Sequence, residues 1–184
     1  MNFMRHFIRI VDGFNYGLGR IMMFGIFALM GVLLYSTYSK AAGSPSLWTL
    51  EMAQFIMVGY YILGGPYAIQ MGSNVRMDLF YGDFTPRRKA WFDAFTVFFL
   101  LVYLGVLLWG GIESTQYAFQ YGGERSSSVW RPYIWPIKVI MCIGITLMLL
   151  QSLSELFKDI LFLKTGEPQR PDQEEDQKEV SNVV

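Results

Sequence analysis

Four long stretches without a charged residue constrain this fold more than any other feature of the sequence. They cover residues 21–39, 52–75, 94–112 and 139–154. A helix of about 20 mostly apolar residues crosses the ~30 Å hydrocarbon core of a bilayer. One such stretch can be a buried helix of a soluble protein, but four in a chain of 184 residues indicate an integral membrane protein. The fourth stretch is short, and residues 133–137 extend it.

The sequence therefore predicts an all-α integral membrane protein with four transmembrane helices. We place the membrane domain at residues 1–165, with spans near residues 18–39, 50–72, 91–113 and 134–157. Eleven of the 15 Lys and Arg residues lie on one side of these spans. The positive-inside rule makes that side, with both termini, cytoplasmic. Residues 75–84 mix apolar and charged side chains, a pattern that is compatible with an interfacial helix in the cytoplasmic loop. The polar, charged composition of residues 166–184 predicts a disordered cytoplasmic tail.

Composition excludes several classes of function. The chain has 15 basic and 15 acidic residues, so it lacks the positive charge of a nucleic-acid binder. Its one cysteine, Cys142, excludes a disulfide framework and a thiolate metal cluster. Its one histidine, His6, lies outside the spans, which excludes a bis-histidine haem and a Ser–His protease dyad within the membrane. We therefore expect no enzyme, no cofactor and no resident metal.

The ionisable residues at the ends of the predicted spans form two layers. The outer layer holds Glu51, Glu113 and Lys138, and the inner layer holds Arg76, Asp78, Asp93 and Glu155. Three interpretations stay open: pairing and solvation at the headgroup level, a proton or ion site, and contact with a partner chain. Because pairing lowers the cost of placing a lysine in a membrane, we expect Lys138 to approach Glu51 or Glu113.

Small residues mark the spans as packing surfaces. The second span contains Gly64-Gly65-Pro66, and the first and third carry glycines at helical spacing. In lipid such faces allow two helices to approach closely. They can serve packing within the chain or docking to another subunit.

Four motifs at span ends together carry a family resemblance. They are Trp48-x-x-Glu51, Gln70-x-x-x-Asn74-Val75-Arg76-Met77-Asp78, Trp135-Pro136-Ile137-Lys138 and Leu150-Gln151-x-x-Ser154-Glu155. Over roughly residues 21–161 the chain resembles the small, DctQ-like membrane subunit of TRAP (tripartite ATP-independent periplasmic) transporters. The second motif is similar to the H-V-R-x-D block of that family. Asn74 stands where the family often has His, so we expect no protonation role at this position.

The resemblance implies a three-part system in the inner membrane of a bacterium. A periplasmic binding protein captures an organic acid, and a large multi-span membrane subunit binds sodium and moves the substrate by an elevator motion. The small subunit has no substrate site, enlarges the fixed scaffold and helps to receive the binding protein. The outer loop at residues 114–132, with Glu124 and Arg125, is then either a docking surface or an ordinary solvated loop. The alternative functions are a stand-alone small exporter and a membrane assembly or anchor protein without a transport role.

Overall fold

The computed structural model describes residues 2–72, 86–120 and 124–165, with side chains for residues 4–72, 91–120 and 124–165. It contains five helices, which are α1 (Asn2–Met23), α2 (Gly25–Ala41), α3 (Thr49–Gln70), α4 (Pro86–Gln120) and α5 (Trp135–Thr165). No strand forms in this part of the chain. The predicted all-α class is therefore confirmed for the described residues.

Three helical stretches are long and apolar enough to cross a membrane: Met4–Ala41, Trp91–Gln120 and Trp135–Thr165. The first combines α1 and α2, which are separated only by Phe24, whose N–H donates to the Ile21 carbonyl at 3.1 Å. Helix α3 has 22 residues and is not among these three stretches. The structure thus supports three candidate spans of the predicted four.

The helices lie side by side in the order α2, α3, α5, α4. Residues Gly19 and Gly25 pack on Tyr67 and Tyr60, so the first two helices run antiparallel to α3. Helix α3 runs parallel to α5, and α4 runs antiparallel to it. We call the end where α1 begins and α5 ends the terminal end; there Phe7 and Phe157 have ring centroids 5.5 Å apart. We call the end where α3 and α5 begin the loop end.

All the helices reach beyond the predicted spans except α3. With a rise of about 1.5 Å per residue, the 35 residues of α4 extend about 52 Å, well over the ~30 Å of a hydrocarbon core. Helix α1 begins at Asn2, 16 residues before the predicted first span. The predicted interfacial helix at residues 75–84 and the predicted tail at residues 166–184 lie outside the described residues.

Burial is reversed relative to a soluble protein. Large apolar side chains such as Phe98, Val106 and Leu34 are exposed, whereas Gln151 and Asp159 are fully buried. Lipid solvates the apolar surface, so polar groups must find partners inside the protein. The pattern agrees with a protein that is surrounded by hydrocarbon.

Small residues fill two different environments. Residues Gly65 and Gly144 face Met148 and Ile62 across the contact between α3 and α5, and a methyl group added at Gly144 would lie 2.1 Å from Cγ2 and 3.1 Å from the carbonyl oxygen of Ile62. In contrast, Gly105 would meet nothing within 4 Å. Part of the predicted small-residue surface is therefore used inside the chain, and part faces outward.

We expect Gly144→Ala to lower the free energy of unfolding by about 1–3 kcal/mol, because overpacking forces the stiff side chain and backbone of Ile62 to move. Thermal unfolding of the purified protein in detergent measures the change. The matched control is Gly105→Ala, whose added methyl group has open space. Equal midpoints for the two variants would contradict the close contact between α3 and α5.

Candidate functional site

Asp12 is the centre of a polar cluster at the terminal end. Its Oδ1 accepts hydrogen bonds from Gln151 Nε2 at 3.0 Å and from Ser154 Oγ at 2.9 Å. Its Oδ2 lies 2.7 Å from Lys158 Nζ. Gln70 Nε2 of α3 donates to the Asp12 backbone carbonyl at 3.2 Å. The Asp12 carboxylate therefore joins α1 to α5, and the Asp12 backbone carbonyl joins α1 to α3.

Lys158 lies between two carboxylates. Its ammonium is also 2.7 Å from Glu155 Oε1, and the lysine side chain is only 7% exposed. Gln151 Nε2 donates to the same Glu155 oxygen at 3.0 Å, and Gln151 Oε1 accepts from Asn15 Nδ2 at 2.7 Å. We call Asp12, Asn15, Gln151, Ser154, Glu155 and Lys158 the terminal cluster. A buried lysine that is paired and hydrogen-bonded in this way avoids most of the cost of a lone buried charge.

Of the predicted inner layer, the structure describes Glu155 in the terminal cluster and Asp93 on α4. The predicted residues Asn74, Arg76 and Asp78 lie outside the described residues. Sequence reasoning missed Lys158 as the partner of Glu155, and Asp12 as the second carboxylate on Lys158. The signal was present, since residues 151, 154, 155 and 158 have the spacing of one face of a helix.

Replacing the central cation should destabilise the protein strongly. We expect Lys158→Met to lower the free energy of unfolding by about 3–5 kcal/mol, because the buried Glu155 carboxylate and the half-buried Asp12 carboxylate lose their counter-charge. Thermal unfolding measures it, and Lys164→Met at an exposed position of α5 is the control. Adding Asp12→Asn to Lys158→Met should restore part of the loss. A Lys158→Met variant as stable as the control would show that the cluster carries no stability.

At the loop end, Lys138 makes no direct ion pair with Glu51 or Glu113 among the described side chains. Lys138 pairs with Glu124, and its Nζ also lies 3.4 Å from the Ser114 carbonyl oxygen. Glu113 Oε1 instead accepts from Trp109 Nε1 at 3.1 Å. Lys138 lies beside Ser114, at the depth along the helices that the sequence predicts. Its carboxylate partner is Glu124, which belongs to the loop.

Glu51 holds the loop that follows α4. Its Oε1 accepts a hydrogen bond from Ser126 Oγ at 2.7 Å, and the Glu51 side chain is buried. Its Oε2 is buried without a hydrogen-bond partner in the described structure. Glu51 thus ties the start of α3 to the loop, as Glu124 ties the loop to α5.

The loop itself has a hairpin-like shape. The Ser126 N–H donates to the Pro132 carbonyl and the Ile134 N–H to the Glu124 carbonyl, both at 3.0 Å. Arg125 Nη2 donates to Tyr133 Oη at 2.6 Å, and its guanidinium lies 4.5 Å from the centre of that ring. Both predicted docking residues, Glu124 and Arg125, therefore have partners within the chain, although 46% of the Glu124 side chain remains exposed.

The tip of this loop is exposed. We call residues 129–131 the loop tip; Val129 is 78% exposed and Trp130 is 41% exposed. Arg131 is exposed and has a φ of 51°, an uncommon backbone conformation for a residue with a side chain. The Ser128 hydroxyl accepts the Arg131 N–H at 3.3 Å and supports this turn.

Between the terminal end and the loop end, residues 25–39, 52–70, 94–112 and 139–154 of the described helices contain no Asp, Glu, Lys, Arg or His. No group of three or more His, Cys, Asp or Glu in the described residues could hold a metal ion. Cys142 contacts the Thr115 hydroxyl at 3.4 Å. The arrangement can bind partners at its ends, and its centre is suited to apolar contact.

Comparison with known proteins agrees with this arrangement. The family described as "Tripartite ATP-independent periplasmic transporters, DctQ component" matches residues 29–162, which include α3, α4 and nearly all of α5. A search of curated proteins gives no match to this chain. Because the matched segment covers well over half of the sequence, the chain belongs to the DctQ family and is a component of a TRAP transporter.

Proposed function

We propose that this chain is the small scaffold subunit of a sodium-coupled importer of organic acids in a bacterial inner membrane. It works with a large multi-span membrane subunit and a periplasmic binding protein. The observation that carries the proposal is the family membership together with the distribution of charge: the described helices hold their ionisable groups at the ends. A coupling ion or anionic substrate is expected to bind near the midplane, on an interrupted helix.

The orientation in this proposal follows from the basic residues. The terminal end, with most of the Lys and Arg residues, is cytoplasmic, and the loop end is periplasmic. Helix α3 is then the remaining span of the predicted four and the second in chain order, because it lies between α2 and α5. Neighbouring helices cover part of its surface. The terminal cluster then lies at the cytoplasmic surface.

Uptake by proteoliposomes tests the scaffold role. We expect sodium-driven uptake of an organic acid when the large subunit, the binding protein and this chain are present, and at least a tenfold loss when this chain is omitted. Vesicles with this chain alone should show no uptake and no efflux. Transport by this chain alone would support the small-exporter alternative, and full uptake without it would support an assembly or anchor role.

We further propose that the loop tip receives the periplasmic binding protein. Trp and Arg are enriched where few residues carry most of the binding energy. The hydrogen bonds across the loop and the two anchors at Glu51 and Lys138 hold it in one shape, which reduces the ordering cost of binding. Glu124 is neutralised by Lys138, so Arg125 and Arg131 make this surface positive and suited to an acidic patch on the partner. Glu124 and Arg125 chiefly maintain the shape of the loop.

Charge reversal at the tip tests this docking site. We expect Arg131→Glu to reduce uptake several-fold at low binding-protein concentration, with recovery at high concentration, because rim charges act mainly on the association rate. The effect should weaken as salt rises. Lys40→Glu, at the end of α2 on the same side, is the control. Equal effects of the two reversals, with the complex intact in detergent, would place docking elsewhere.

A further inference from the structure

A groove of about 620 Å³ lies over α5, between α3 and α4. Its floor includes Leu104 and Ile145, which are almost completely buried. Its rim includes Tyr103 and Val106, which are exposed by more than half. Nothing lies within 4 Å of the point where a side chain at Gly110 would begin, so this glycine keeps one wall open. The groove is an accessible apolar cavity of the size that binds small ligands.

One end of the groove is charged. Lys138 lines it, beside Ser114 of α4. A lysine ammonium has three N–H donors. In the described structure one contacts the Glu124 carboxylate and another the Ser114 carbonyl oxygen. The third N–H donor is left for an acceptor in the groove. The rest of the lining is almost entirely apolar.

The length of the groove matches one leaflet of a bilayer. Along α5 it extends from Lys138 to Met148, which is ten residues or about 15 Å. This is half of a hydrocarbon core of about 30 Å. A transmembrane helix of a partner would need a groove through the whole thickness of the membrane. A single acyl chain that begins at a charged headgroup needs only this length.

We propose that this groove binds one phospholipid, with an acyl chain against Ile145 and Met148 and the phosphate oxygen accepting from Lys138. The third ammonium N–H of Lys138 at the polar end and the apolar walls complement the two parts of such a lipid. In the orientation proposed above, the lipid belongs to the periplasmic leaflet. It would fill the space between α3 and α4 and so support the packing of α4, which contacts α5 along its length.

Native mass spectrometry of the full chain, purified in its native assembly, tests the proposal. We expect one phospholipid that survives detergent exchange in the wild type and is lost in Gly110→Phe, which fills the groove. Gly31→Phe is the matched control, because Gly31 also has open space but lies on α2. Lys138→Gln should keep the groove and reduce lipid retention at least fivefold.

Adding lipid back identifies the polar contact. After delipidation, dioleoylphosphatidylglycerol should rebind to the wild type, and dioleoylglycerol, which lacks the phosphate, should bind at least fivefold more weakly. Equal lipid retention in wild type and Gly110→Phe would overturn the proposal. Equal rebinding of the two lipids would also overturn it. So would a wild type without bound lipid whose partner subunit is released by Gly110→Phe.

Discussion

The ion pair of Lys158 with Asp12 holds the first helix against the last, and Glu155 of the last helix pairs with the same ammonium. Each N–O distance is 2.7 Å, and the lysine is almost fully buried. A buried charge triad of this kind fixes geometry more than it adds stability, because desolvation offsets much of the attraction. Its consequence here is positional. The N-terminal half of α1 lies along α5, and α1 also contacts α3. Helix α1 therefore joins the two central helices of the row at the terminal end.

Apolar contacts between the two ends depend on small residues. Gly144 lets Ile62 approach the backbone of α5, and Gly19 lets Tyr67 approach α1. Since lipid is as apolar as leucine, close packing and hydrogen bonds rather than the hydrophobic effect hold such helices together. Polar pairing at the two ends and close packing between them are complementary. Together they hold the helices in a row whose large apolar side chains are mostly exposed.

The sequence was sufficient for the helical class and for the family. Long charge-free stretches report where a helix crosses a membrane, and motifs at their ends report the family. It was insufficient for the start of the first helix, because Arg5, Arg9 and Asp12 make that segment look like a flanking region. The helix forms there since its polar face meets Gln151 and Ser154 of α5, a long-range contact that local patterns do not contain.

The site was predicted only in part, for a related reason. Hydropathy gives the depth of a residue along a helix but not its rotation about the axis, so Glu51, Glu113 and Lys138 were placed at one level without their true neighbours. Lys138 meets Glu124 because the outer loop turns back in a hairpin-like shape that hydrogen bonds at Ser126 and Ile134 maintain. Nothing in the composition of that loop specifies the turn.

A distance measurement between α1 and α5 tests the central claim most directly. Cys142 is replaced by Ser, and spin labels are attached to cysteines introduced at positions 6 and 164. In lipid bilayers, pulsed electron paramagnetic resonance should then give a single narrow distance distribution. In Lys158→Met the distribution should broaden and move to longer distances. A broad distribution in the otherwise wild-type chain, or one that Lys158→Met leaves unchanged, would contradict a first helix that is held to the last by this ion pair.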